Sequence, residues 1–205
     1  HSFLKVITGH SLNHMEIEKA ITPTRTTKPV IVGIGGCGMS LVLSFCNTYP
    51  DIAETCNMLL LDVDATSGKA SLIKSCLNSD NIGEILLVFG LGGSAGGDFA
   101  LQRLSAMNTV NLPDHLSCEK FCVAVLPHAE EANHEIASKQ AKMLSFLMME
   151  QNFVVVENDH FIYDDQHCSE EVMERANQQA ISMMKMWVRS LGRRADEILA
   201  NSIKP

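Results

Sequence analysis

The chain has 205 residues, 46% of them hydrophobic and 20% charged, the composition of a globular domain large enough for a proper core. A net charge of -8 without basic clusters argues against a nucleic-acid binder, and no run approaches the ~18 apolar residues of a membrane span. Seven cysteines, an odd number with no C-x-x-C pair, read as free thiols of a reducing cytoplasm, and the first residues lack a secretory pattern.

Residues 1–28 read as a mixed extension and linker, with a short helix expected over Leu12–Ile21. Apolar runs and helical patterns then alternate. Strands are expected at Val30–Ile34, Met58–Val63, Ile85–Gly90, Phe121–Leu126 and Phe153–Glu157, all short and continuously apolar. Strands of this kind are buried on both faces, as in a parallel sheet. Helices are expected at Met39–Asn47, Asp98–Asn108 and Glu131–Gln151, the last with Ile136, Lys139, Gln140, Met143 and Leu147 on one face. The clearest helix is Ser169–Leu191. Ser169 can cap it, Glu170 and Glu171 suit the positive end of its dipole, and Gly192 is expected to stop it. Its stripe Val172, Ala176, Ala180, Met184, Trp187, Leu191 follows three- and four-residue spacing. The alternation predicts an α/β fold: a doubly wound, mostly parallel sheet with helices on both faces. The expected organisation is an extension over 1–28, an α/β core over 29–164, and a long helix with a tail over 165–205.

Nine of the 13 glycines fall in two runs, Gly33-Ile34-Gly35-Gly36-Cys37-Gly38 and Gly90-Leu91-Gly92-Gly93-Ser94-Ala95-Gly96-Gly97, each closing an apolar strand. A glycine turn between strand and helix aims backbone N–H groups and a helix N-terminus at one point, which suits an anion. Two such turns suggest a nucleotide held from both sides. The first alone matches the dinucleotide fingerprint, with acids following at Asp62 and Asp64. An NAD(P)-binding enzyme built on Gly33, Gly35, Gly38 and Asp62 is therefore one alternative, although it leaves the second loop unexplained.

Taken in order, these segments resemble the tubulin/FtsZ family over roughly residues 29–190. The second loop resembles its phosphate-binding signature, and the first its other phosphate loop. Leu61-Asp62-Val63-Asp64-Ala65 is similar to the Asn-Thr-Asp-Ala loop after the second strand. Val125-Leu126-Pro127-His128-Ala129-Glu130-Glu131 resembles the loop carrying a ribose-binding Glu. Val156-Glu157-Asn158-Asp159-His160-Phe161 resembles the segment whose Asn contacts guanine, and Ala176-Asn177-Gln178 lies on the likeness of the central helix. The resemblance implies GTP or GDP as ligand, with Mg²⁺ accompanying a triphosphate. Gly35, Gly36, Cys37, Gly38 and Ser40 would hold one side of the phosphates, and Gly92, Gly93, Ser94, Ala95 and Gly96 the other. Asp64 and Glu131 would serve the sugar and loop contacts, and Asn158 and Gln178 the base. It also implies a cytoplasmic, cytoskeletal or cell-division role through self-assembly or a fuller partner of the same kind.

The chain departs from the family pattern in several places. Only 20 positions separate Asp64 from Glu84, where the family has a helix and a γ-phosphate loop. Ser40 stands where the family has Asn, Gln178 where it has Asp, and Glu135 near an expected Arg. After the long helix the catalytic acidic loop is replaced by Gly192-Arg193-Arg194-Ala195-Asp196-Glu197, leaving Asp196 and Glu197 as the catalytic candidates. Water positioning and charge stabilisation supply most of the catalysis in phosphoryl transfer, so hydrolysis is expected to be slow or partner-dependent. A non-catalytic assembly module is the remaining alternative. No metal ligands are assigned: His128, Glu131 and His134 read as a solvated helix start, and Cys37 as a small residue in a tight turn.

Overall fold

Leu86, Leu87, Val88 and Phe89 expose no surface at all. A strand buried on both faces sits in the middle of a sheet that is covered on both sides, and these residues belong to its centre. The computed structural model describes residues 4–7, 28–62, 84–93, 96–109, 119–161 and 170–202. Strands β1 (Leu4–Ile7), β2 (Val30–Ile34), β3 (Asn57–Leu61), β4 (Glu84–Gly90), β5 (Glu119–Leu126) and β6 (Phe153–Glu157) form one sheet. Its order is β1-β3-β2-β4-β5-β6, and each neighbouring pair is parallel.

Among the described residues, four long helices accompany the sheet: α1 (Gly35–Thr48), α2 (Gly96–Thr109), α3 (His134–Leu147) and α4 (Glu170–Ser202). The strand period of two divides the core between them. Val32, Ile34, Ile85, Leu87, Phe89, Cys122 and Ala124 pack with Ala100, Leu101 and Leu104 of α2 and Ala137 and Leu144 of α3. Ile31, Leu86, Val88, Val123 and Val125 pack with Leu41, Val42 and Phe45 of α1 and Ala176, Ala180, Met184 and Trp187 of α4. Each large aliphatic side chain buried this way contributes about 1.5–3 kcal/mol. The expected doubly wound α/β architecture is therefore present, with α2 and α3 on one face and α1 and α4 on the other.

Several helix boundaries differ from expectation. Helices α1 and α2 begin inside the glycine runs, at Gly35 and Gly96 rather than after them. The third helix starts later, at His134, because residues 127–133 form a hydrogen-bonded loop instead. Helix α4 does not stop at Gly192 but continues to Ser202. One interior glycine costs about 1 kcal/mol against alanine, and the residues after Gly192 include good helix formers that continue the turn. Leu4–Ile7, within the stretch read as an extension, pairs with Met58–Leu61 and forms an edge of the sheet. The helix expected over 12–21 lies outside the described residues.

Candidate functional site

The chain path β2 to β3 runs one way from the centre and β4 to β5 runs the other. The reversal falls between adjacent strands β2 and β4. In an open α/β sheet this switch point opens a crevice at the carboxyl ends of the strands, where ligands bind. Both glycine loops leave those two strands, so both reach the same crevice.

The loops touch. A Cβ placed on Gly35 would lie 3.2 Å from the Gly96 Cα, and one on Gly90 would lie 2.9 Å from the Cys37 Cβ. Gly35 (φ 68°) and Gly92 (φ 83°) are in the left-handed region that favours glycine. The other glycines divide into two kinds. Gly33 and Gly38 serve close packing: a Cβ on Gly33 would meet the Gly38 oxygen at 2.6 Å, and one on Gly38 the Val88 oxygen at 2.1 Å. Gly36 and Gly93 have nothing within 4 Å of an added Cβ among the described residues. Those two positions leave the backbone accessible to a ligand.

Helix α1 starts at this point without a side-chain cap and without an acid in its first turn. The first four N–H groups of a helix have no partner within it, and the helix dipole makes the same end favourable to anions. Ser40 is exposed one turn further along. Helix α2 starts differently. Its first turn carries Asp98, and the buried Gln140 side chain of α3 bonds both Asp98 (2.7 Å) and the Gly92 N–H (2.7 Å). Gly92 is thus buried with its N–H already used, so it shapes the loop rather than offering a donor. Asp64, Ser94 and Ala95 lie outside the described residues.

Beyond the glycine loops, the turns after β5 and β6 are tied together. The Ala129 N–H donates to Asp159 Oδ1 at 3.1 Å, and His128 Nε2 lies 3.3 Å from the same oxygen. The Glu130 N–H donates to His128 Nδ1 at 3.1 Å. Nδ1 must then be the acceptor nitrogen, which puts the imidazole proton on Nε2, facing Asp159. Glu131 is exposed, and its Oε1 accepts the His128 N–H at 2.9 Å. His134 Nδ1 sits 3.0 Å from the Pro127 oxygen. The three side chains thus meet different atoms: the His128 ring Asp159, Glu131 the His128 N–H, and the His134 ring the Pro127 oxygen.

Asn158 opens the turn after β6 and is 7% exposed, and its Oδ1 has no hydrogen-bond partner among the described residues. A buried acceptor without a partner costs about 1–3 kcal/mol, and a ligand donor would recover it. On α4, Gln178 is exposed and its Nε2 donates to Glu174 Oε1 at 2.7 Å. At 100° per residue it lies some 200° round the helix from the buried Ala176, so it is not brought to this cluster. Asn177, one position earlier, is half-buried. Asp196 and Glu197 fall within the continuous helix α4, not in a loop after it. Glu135 is also outside the cluster. It pairs with Lys139 at 2.7 Å, and that hydrogen bond holds its carboxyl below the usual range.

Cys37 reaches the surface, yet the protein around its sulfur pushes the thiol up to about 11, so the helix start does not make it a reactive thiolate. The sequence pattern placed Gln140 on a face with Ile136 and Met143, but those two are exposed and Gln140 is buried with Ala137 and Leu144; Asn133 and the His128–Asp159 pair were given no role. The available signal for Gln140 was a polar residue among the inward positions Ala137 and Leu144 of α3. Asn133 carried no such signal; it backs Gly92, whose added Cβ would lie 2.9 Å from its Nδ2.

No protein-family model matches the chain, and neither does any curated protein sequence. Solved structures do match. A structure described as CetZ2 from Haloferax volcanii, a GTPγS-bound protofilament, aligns with a TM-score of 0.56 at 16% identity, over 78% of this chain and 58% of that one. CetZ1 from Haloferax volcanii, a GDP-bound monomer, aligns with a TM-score of 0.54 at 13% identity, over 75% of this chain and 58% of that one. The chain thus spans somewhat more than half the length of these structures. At such low identity the likeness concerns the fold alone, an α/β arrangement of the kind that the alternating strands and helices predict.

Proposed function

We propose that this chain is a tubulin/FtsZ-like guanine-nucleotide-binding protein. The observation that carries the reading is the pair of glycine loops lying side by side at the switch point, beside an uncapped helix start. Gly36, Cys37 and Ser40 at the start of α1 and Gly93, Ser94, Ala95 and Gly96 of the second loop hold the phosphates. Gly35, Gly38 and Gly92 give the loops their shape. Asp64 and Glu131 line the sugar side, and Asn158 Oδ1, which has no partner among the described residues, accepts from the base. Gln178, the base-contact position that the family likeness assigns on α4, is exposed, and the half-buried Asn177 beside it is a second candidate for that contact. A bound triphosphate supplies oxygen ligands for Mg²⁺.

Hydrolysis is slow or needs a partner, because Asp196 and Glu197 belong to a helix and not to a loop that could position water. The protein works in the cytoplasm, in a cytoskeletal or cell-division setting, by self-assembly or with a fuller relative. The CetZ2 structure described as a protofilament supports assembly as the mode of action.

The test is thermal stabilisation by GTP, GDP, ATP and NAD at matched concentration. A ligand at 100 times its dissociation constant adds about 2.7 kcal/mol of stability. The expected result is a shift with GTP and GDP that exceeds those with ATP and NAD. A shift with NAD alone would assign the fold to a dinucleotide enzyme. No shift with any of the four would favour a module that has lost its nucleotide.

A further inference from the structure

Gln140 is only 3% exposed, on a helix face otherwise occupied by Ala137 and Leu144. A buried amide is costly unless both its ends are bonded. Here Oε1 accepts the Gly92 N–H and Nε2 donates to Asp98 Oδ1, each at 2.7 Å. The amide lies so close to the second loop that a Cβ on Gly97 would fall 2.5 Å from Oε1. One side chain of α3 therefore touches the loop at Gly92, at Gly97 and at the first turn of α2.

Asp98 matters because of where it stands. A carboxylate in the first turn is drawn to the free N–H groups of its helix and can reach back to cap them. That makes it an internal competitor for the place an anionic ligand would take, and its charge repels such a ligand. The start of α1 has no acid in its first turn. The start of α2 has Asp98, and the Gln140 Nε2 holds it.

We propose that Gln140 is a positioning residue for phosphate binding: it engages the Asp98 carboxylate within the first turn of α2, in competition with the free N–H groups there, while fixing Gly92 of the second glycine loop. The inference rests on the nucleotide reading above and deepens it, since it assigns a residue outside both loops to the polyphosphate part of the ligand. The contribution is specific to phosphate charge. It is absent for the nucleoside alone.

Calorimetric titration of GTP and guanosine into the wild type, Gln140→Met, Asp98→Asn and the double variant tests this. Met keeps the length and volume of Gln but frees Asp98. Gln140→Met is expected to weaken GTP about tenfold, the equivalent of ~1.4 kcal/mol, and guanosine less than about twofold. Asp98→Asn alone is expected to stay within about twofold of the wild type, and added to Gln140→Met it should restore most of the lost GTP affinity. If Gln140→Met does not fold, Gln140→Glu replaces it, because it keeps the acceptor for Gly92 and sets two carboxylates against each other. Equal losses for GTP and guanosine, or no recovery with Asp98→Asn, would reduce Gln140 to a packing role. A wild type that binds GTP while its Gln140 variants bind it equally well overturns this inference alone. A wild type that binds neither ligand overturns the nucleotide reading with it.

Discussion

Gly38 and Gly36 are two positions apart and do opposite things. An alanine methyl at Gly38 would collide with the Val88 oxygen at 2.1 Å, whereas one at Gly36 would meet nothing within 4 Å among the described residues. The glycine run was plain in the sequence, but this division was not, because it depends on which backbone lies opposite each residue. The cysteines show the same dependence. Burial pushes the Cys37 and Cys56 thiols from an ordinary 9.0 up to about 11, and raises Cys122 further. The folded chain therefore keeps these protons when the unfolded chain has begun to lose them. For an acid raised in this way, the stability is fully present below the unfolded value and is lost as pH rises through the folded one. Urea unfolding is expected to show a midpoint that falls between pH 9 and 11, with a shallower fall in Cys56→Ala. A midpoint unchanged over that range would mean that these thiols are solvated.

At the scale of elements, the five core strands were legible because their apolar runs are short, continuous and closed by glycine, proline or polar residues. Two features were not. Leu4–Ile7 is too short to show a period, and its place is set by pairing with Met58–Leu61. Gly192 reads locally as a stop, yet α4 passes through it. The apolar stripe from Ala176 to Val188 already anchors this helix to the sheet, so the cost of one glycine is absorbed. Gly192→Ala is accordingly expected to raise stability by about 0.5–1 kcal/mol, seen as a higher urea midpoint and undiminished helical circular dichroism. A loss of stability would mean that the helix needs a left-handed residue there and ends at that point.

For the whole molecule, parallel strands and two layers of helices bring loops from distant parts of the sequence to one edge of the sheet. The order β2, β4, β5, β6 puts the two glycine loops, the His128 loop and the Asn158 turn in series, much as the family resemblance implied. The resemblance identified the segments. It did not predict that Gly92 has its N–H taken by Gln140 or that Gln178 points away from the sheet, since both follow from the packing of α3 and α4. The central claim is that the two loops form one phosphate cradle, open at Gly36 and Gly93. It is tested most directly by titrating GDP into the wild type, Gly36→Ala and Gly93→Ala, with urea unfolding of each ligand-free protein alongside. Each alanine is expected to leave the unfolding midpoint no lower than that of the wild type and to weaken GDP binding at least about tenfold, by putting a methyl group where the phosphates pass the backbone. Undiminished GDP binding by both variants would contradict the account.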